Sequence, residues 1–475
     1  MRVMLLSLPG IEESDRNLFP LSIGYLAGAI KEHHHVEAYH FNNMKQARND
    51  LPSKVDSFMP QIVGLSCTTF NRGFVKETIK MIKDLRPEVT VVVGGVHASF
   101  CSDQMLRQYM ADVVVIGEGE HTFLELCNFL EERKPLKSVN GIAYLENGEV
   151  ASTPPRAVVG NLDDLPMPDY SYAKPFIESA QMGFLITSRG CPVRCTFCST
   201  SSFWGQNVRM NSVSRVVDEM EMLLSDFNIK RIFFHDDTFN LGISRVINIC
   251  NEIINRKLEI EWACSCRVAP VSEEMIAGMV EAGCRHICWG VESGSEEILK
   301  TIDKKITLNQ IRRAFELASK FSGLMSSGSF TMVGNPGESV KTVRETVDFM
   351  NTLPMTDSPS TSVLYVLPGT LLYEDLLKKG YIKSDHWFKY DTVPFYTVEN
   401  SYRTLDRWAQ MVHSSGKISG FDREKHFWHN NLDAADVAHD VKAYSFLKKI
   451  IRLTAKPKTM MSVCKSYLPA GKIRF

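Results

Sequence analysis

No run of about 18 consecutive apolar residues occurs in the chain, so no segment reads as a membrane span. The opening Met1-Arg-Val-Met-Leu-Leu-Ser-Leu-Pro9 is too short for a secretory signal and reads as a first strand. Internal repeats and low-complexity tracts are absent, which excludes solenoids and disordered scaffolds. Excess charge is absent too: 54 Lys and Arg meet 55 Asp and Glu. No recognisable nucleic-acid-binding module accompanies the basic residues, so nucleic acid is not an expected partner. Cysteine is not scarce, at 12 residues, but its placement excludes a disulfide framework. Three cysteines share one short segment and the others are scattered through apolar stretches, as suits reduced thiols in a cytoplasmic protein.

What is present is an ordinary globular composition, 44% hydrophobic and 23% charged over 475 residues, enough for two or three domains. Residues 1–140 alternate strand candidates (2–8, 36–41, 62–67, 90–94, 112–117) with helical patterns (20–33, 44–57, 73–85, 101–110, 120–132). This order predicts an α/β fold, a doubly wound, Rossmann-like parallel sheet. Ligands of such sheets bind at the strand carboxyl ends. Pro9, Ser66, Thr69, Gly94, Gly95, His97 and the run Gly117-Glu118-Gly119-Glu120 all fall there. Residues 141–176 read as a linker, with an Asn-Gly hairpin followed by a proline-rich stretch. Strands near 184–188, 230–236, 260–267, 286–292, 328–334 and 361–366 predict a partial (β/α)6 barrel over 177–380. Residues 381–475 read as a mostly helical appendix concerned with substrate. Its last segment, 441–475, carries nine Lys or Arg and no Asp or Glu. Within it, 441–453 forms a basic amphipathic pattern that suits either peripheral membrane contact or packing on the acidic remainder.

The chemistry begins at Cys191, Cys195 and Cys198, spaced C-x3-C-x2-C just after the first barrel strand. Three soft thiolates from one loop suit a four-iron cluster with one iron left open. With Phe197 before the last cysteine, the segment resembles the signature of the radical S-adenosylmethionine (SAM) enzymes. The runs Phe19-Pro-Leu-Ser-Ile-Gly-Tyr-Leu-Ala-Gly28, Leu65-Ser-Cys-Thr-Thr-Phe70, Gly94-Gly-Val-His97 and Gly117-Glu-Gly-Glu120 resemble the cobalamin-binding subclass of that superfamily. The resemblance covers roughly residues 1–380. It departs from other cobalamin proteins at one point: no histidine has an Asp two residues before it, so the cobalt-ligating Asp-x-His motif is missing.

The resemblance implies a [4Fe-4S] cluster, SAM and cobalamin as cofactors. Glu292 and Ser293 would bind the ribose or aminoacyl part of SAM. Phe197 and Val333 would line its adenine, and Arg267 would pair with its carboxylate. Asp236 and Asp237 would sit beside the SAM amino group or the substrate, as catalytic candidates. Pro9, Ser66, Thr69, Gly94, Gly95, His97, Gly117, Glu118 and Gly119 would hold cobalamin, with His97 in packing or a tail contact rather than on cobalt. From the residues alone, a helix cap stays open as the lesser reading of Glu292, and solvated caps as that of Asp236 and Asp237. Cys264, Cys266, Cys284 and Cys288 read as buried thiols and not as a second cluster. The implied activity is C-methylation: a 5′-deoxyadenosyl radical abstracts hydrogen from an unactivated carbon, which then receives a methyl group from methylcobalamin. A cobalamin-dependent cyclase, like those of bacteriochlorophyll synthesis, is the alternative; a non-catalytic B12 or redox sensor is a third. The implied partners are an organic substrate and an electron donor of flavodoxin or ferredoxin type; the aromatic run Trp387–Tyr396 suits a large apolar or ring-containing substrate and equally suits core packing.

Overall fold

The structure is a computed structural model and describes residues 1–10, 21–390 and 392–416. The segment 441–453, with its expected membrane contact, lies outside the described residues, as do Phe19 and Pro20. Among the described residues no helix is long and apolar enough to cross a membrane.

The first sheet holds β1 (Arg2–Ser7), β2 (His35–His40), β3 (Ile62–Ser66), β4 (Thr90–Gly94) and β5 (Val113–Val115). These five run parallel in the order β2-β1-β3-β4-β5, close to the expected bounds. Their central strands are Val-, Ile- and Leu-rich and buried on both faces, which is why they read as continuous apolar runs rather than alternating ones. One expectation needs correction. The hairpin β6 (Ile142–Glu146) and β7 (Glu149–Ser152) is not part of a linker. It pairs antiparallel with β5 and extends the sheet to seven strands. Ile142, Ala143 and Tyr144 are buried in this pairing, so the first domain continues past residue 140.

The proline-rich stretch that follows runs back over helix Leu21–Ile30. A Cβ on Gly24 would strike the Tyr170 ring, and one on Gly28 the Met167 carbonyl. The glycines of that helix therefore serve close packing of the connector.

The second sheet begins with β8 (Gly183–Leu185). A short ribbon, β9 (Ser188–Arg189) and β10 (Arg209–Met210), precedes β11 (Arg231–Phe234), β12 (Glu261–Arg267), β13 (Cys284–Glu292), β14 (Ser326–Val333) and β15 (Ser360–Val363). The order β15-β14-β13-β12-β11-β8 is wholly parallel, a six-stranded open barrel. Its core is a single cluster that includes Phe233, Trp262, Ile287, Trp289 and Phe315. Of the appendix, helix Tyr402–His413 packs Leu405, Trp408 and Val412 on Val333 and Val363, outside the barrel.

The two sheets meet with their strand carboxyl ends facing. Phe70, past β3, lies 5.3 Å edge-on from Tyr365, past β15. Phe100, past β4, lies 6.4 Å from Phe203, and Glu120, past β5, pairs with Arg189 of β9.

Candidate functional site

The cysteine loop hangs between β9 and β10. Cys195 is buried, while Cys191 and Cys198 are partly open. All three are free thiols, and Cys198 is close enough to Cys191 and to Cys195 for their charges to interact. Burial pushes the Cys195 thiol up to about 11, and nearby Lys304 and Arg267 oppose the rise. Those two cations favour the thiolate that iron requires. Among the described residues no three His, Cys, Asp or Glu close on a single ion. Three soft thiol donors from one loop, with cations behind them, fit an iron–sulfur group.

Around Cys195 the barrel mouth gathers residues from three strands. Glu292, at the end of β13, adopts φ +66° and places Oε1 2.7 Å from Lys304 Nζ. Arg267, at the end of β12, donates from Nη2 to the Lys304 carbonyl at 2.8 Å. Lys304 Nζ also lies 6.0 Å from the Phe197 ring centre. Phe197, Arg267 and Glu292 are thus brought together at the cluster loop. Lys304 was not singled out from sequence. It stands in the polar run Asp303-Lys304-Lys305, which reads as a solvated turn, yet it is 7% exposed. Asp237 opens onto the same mouth, where it accepts from Thr200 Oγ1 at 2.8 Å. The protein around it raises its carboxyl above the usual range.

Asp236, Ser293, Val333, His97 and Glu118 are placed as follows. Asp236 is buried and accepts from the Thr187 amide (3.1 Å) and hydroxyl (2.9 Å) and from the Ser188 hydroxyl. It fixes the chain between β8 and the cluster loop and does not reach the mouth. Ser293 is fully buried; its hydroxyl accepts the Ser295 amide and bonds Thr346. Val333 faces out, in the cluster with Leu405. Its neighbour Met332 packs with Phe197 instead. Side chains alternate along a strand, so the expected face belongs one residue earlier. His97 is buried between Thr69 Oγ1 and Gln104 Oε1, each 3.0 Å from a ring nitrogen, and burial lowers its pKa to about 4. Its ring stands edge-on to Trp387 at 5.3 Å, so both it and Thr69 lock the appendix to the first domain. Glu118 turns its carboxylate to Arg189 and Arg209 and away from the cobalamin edge.

The rest of that edge is glycine-rich backbone, open at Gly94 and Gly117. Gly95 has φ +96°, and a Cβ there would fall 2.7 Å from the Cys67 carbonyl. Gly117 has φ +78° with nothing within 4 Å of its missing side chain, and a Cβ on Gly94 would meet only Val115, at 3.7 Å. A Cβ on Gly119 would meet Leu26 at 3.3 Å, so that glycine serves packing, while Pro9 is buried just past β1 and Ser66 bonds Ser22 at 3.1 Å. A strip of backbone bare of side chains fits the close approach of a broad, flat macrocycle. The aromatic run of the appendix is mostly core: Trp387 and Tyr396 are buried beside Leu364 and Leu372. Phe395 stacks 4.4 Å from Tyr365 and packs on the outer cluster with Leu405.

Comparison with known proteins agrees with this division. Residues 10–127 match the B12 binding domain family and residues 185–350 the Radical SAM superfamily. An uncharacterized methyltransferase of Pyrococcus horikoshii is 36% identical over 404 residues, which cover 83% of this chain and 87% of that protein. The anaerobic magnesium-protoporphyrin IX monomethyl ester cyclase of Rubrivivax gelatinosus is 29% identical over 69% of this chain and 61% of its own length. Among solved structures, the radical SAM methyltransferase TsrM of Kitasatospora setae superposes with a TM-score of 0.70 at 21% identity, over 80% of this chain and 76% of that one. With both domains matched in order and the Pyrococcus protein aligned over most of its length, the chain belongs to the radical SAM enzymes that carry an N-terminal B12-binding domain.

Proposed function

We propose that the chain is a cobalamin-dependent radical SAM methyltransferase that places a methyl group on an unactivated carbon of an organic substrate. The observation that carries this reading is the facing of two strand ends, one with bare glycine backbone and one with the cysteine triad. When bound, the cluster with SAM supplies a carbon-centred radical and cobalamin supplies the methyl group. The chain's own work is to hold and orient. Cys191, Cys195 and Cys198 ligate the cluster. Glu292, fixed by Lys304, and Arg267 receive the aminoacyl end of SAM, and Phe197 with Met332 offers an apolar surface to its adenine. Asp237, with its raised pKa, can keep or release a proton beside the substrate. Phe70 and Tyr365, edge-on to each other, keep water from the space between the domains, a setting that suits an apolar or ring-containing substrate. An external flavodoxin- or ferredoxin-type donor in a reducing cytoplasm completes the scheme.

A ring-forming cyclase is the second reading, favoured by the similarity to the Rubrivivax protein. Anaerobic reconstitution with SAM, cobalamin and cell extract separates the two. Products heavier by one methylene unit support methylation; a product that has lost hydrogen and gained no carbon supports cyclisation.

A further inference from the structure

The ribbon that closes the base of the cluster loop carries like charges in register: Arg189 of β9 stands opposite Arg209 of β10. Two guanidinium groups directly opposite across a strand pair repel each other. Both are almost fully buried, at 6% and 8% side-chain exposure. The neutralising charges come from the other domain. Glu120 Oε1 lies 2.5 Å from Arg189 Nη2, and Glu118 pairs with Arg209 and, at 3.6 Å, with Arg189. Burial raises the Glu120 carboxyl, but the Arg189 charge, the Arg189 hydrogen bond and a backbone hydrogen bond together hold the group below the usual range. The Arg189 guanidinium is further held between aromatic faces, 4.9 Å from the Trp204 ring and 5.5 Å from the Tyr25 ring. Tyr25 belongs to the first domain, and Trp204 to the segment just past the cysteines. Arg209 also donates to the carbonyls of Val159 and Trp204.

The run Gly117-Glu118-Gly119-Glu120 therefore joins the two domains. Gly117 leaves backbone bare at the strand edge, and the two carboxylates grip both ends of the loop that holds the three cysteines. We infer that Arg189 is a positioning residue through which occupation of the cobalamin edge and the conformation of the cluster loop are coupled. This rests on the proposed cobalamin role of that edge. A ligand that orders the Gly117–Glu120 turn fixes Glu118 and Glu120, and those fix the ribbon beneath Cys191. Linkage then requires reciprocity: whatever factor cobalamin adds to SAM affinity, SAM adds to cobalamin affinity.

Hydrogen exchange on the full-length, anaerobically reconstituted protein, with and without hydroxocobalamin, tests this. Slowed exchange at 92–100 and 115–120 reports that cobalamin is bound. In wild type we expect exchange over 187–210 to slow as well, by about fivefold, and SAM affinity to rise by a similar factor. In Glu120→Gln and in Arg189→Lys, 92–100 should stay protected while both effects on the loop and on SAM fall away. Protection at 92–100 without any change at 187–210 in wild type would overturn the inference and leave the proposed function standing. Equal slowing of 187–210 in the variants would also overturn it, because direct contact with the cofactor would then explain the effect. No protection anywhere would remove the cobalamin reading and the inference together.

Discussion

Lys304 reaches 2.7 Å from Glu292, twelve residues earlier in the chain, and thereby fixes a carboxylate whose backbone is in the left-handed region. The pair stands at the end of β13, beside Cys195. Replacing Lys304 with Met leaves the Glu292 carboxylate unpaired and unheld. SAM affinity should fall by about tenfold, since a hydrogen bond to a charged group is involved, with the cluster's visible absorption unchanged. Equilibrium binding of SAM under anaerobic conditions checks this. Unaltered affinity would show that Glu292 does not meet SAM.

The cluster depends on three thiols alone. Cys191→Ala, Cys195→Ala or Cys198→Ala should each abolish the visible absorption of the reconstituted protein and 5′-deoxyadenosine formation. Cys264 and Cys284 are buried in the barrel interior, and their Ala variants should keep the cluster. Full iron content in any one of the triad variants would exclude it as a ligand.

Asp236 is expected to act on stability rather than on chemistry. Asp236→Ala strands the buried Thr187 amide and two hydroxyls without an acceptor. The loss should be about 3 kcal/mol, and Asp236→Asn, which keeps one acceptor oxygen, should lose less. Chemical denaturation measures both. A variant of full stability that cannot cleave SAM would return Asp236 to the catalytic set.

Glu219 gives a dependence on pH. Its carboxyl is fully buried against Tyr25 and lifted to about 7 by that burial. Unfolded, a glutamate titrates near 4.3, so between these values the folded state binds the extra proton. Its contribution is fully present at lower pH and is lost as pH rises through about 7. Denaturation should show wild type losing stability relative to Glu219→Gln as pH rises across this window. A flat difference would contradict the burial.

Both sheets were legible in the sequence because parallel strands with both faces covered appear as short apolar runs between helical stretches. The cysteine loop was legible because all its ligands are local. What sequence did not disclose depends on partners distant in the chain. Lys304 looks solvated until Glu292 and Arg267 are seen to enclose it. Glu118 looks like a ligand of the strand edge until Arg209 takes it. Val333 packs outward on Leu405, and a strand's alternation of faces cannot be phased from its apolar run alone. The hairpin β6–β7 read as a linker because nothing local tells whether a hairpin stands alone or extends a sheet.

The most direct test of the central claim is the fate of the SAM methyl group. Protein reconstituted with cluster and hydroxocobalamin, reduced with titanium(III) citrate and given SAM, should release S-adenosylhomocysteine in proportion to the cobalamin bound, and none when cobalamin is omitted. Release of 5′-deoxyadenosine without any cobalamin-dependent S-adenosylhomocysteine would contradict methyl transfer and favour ring formation.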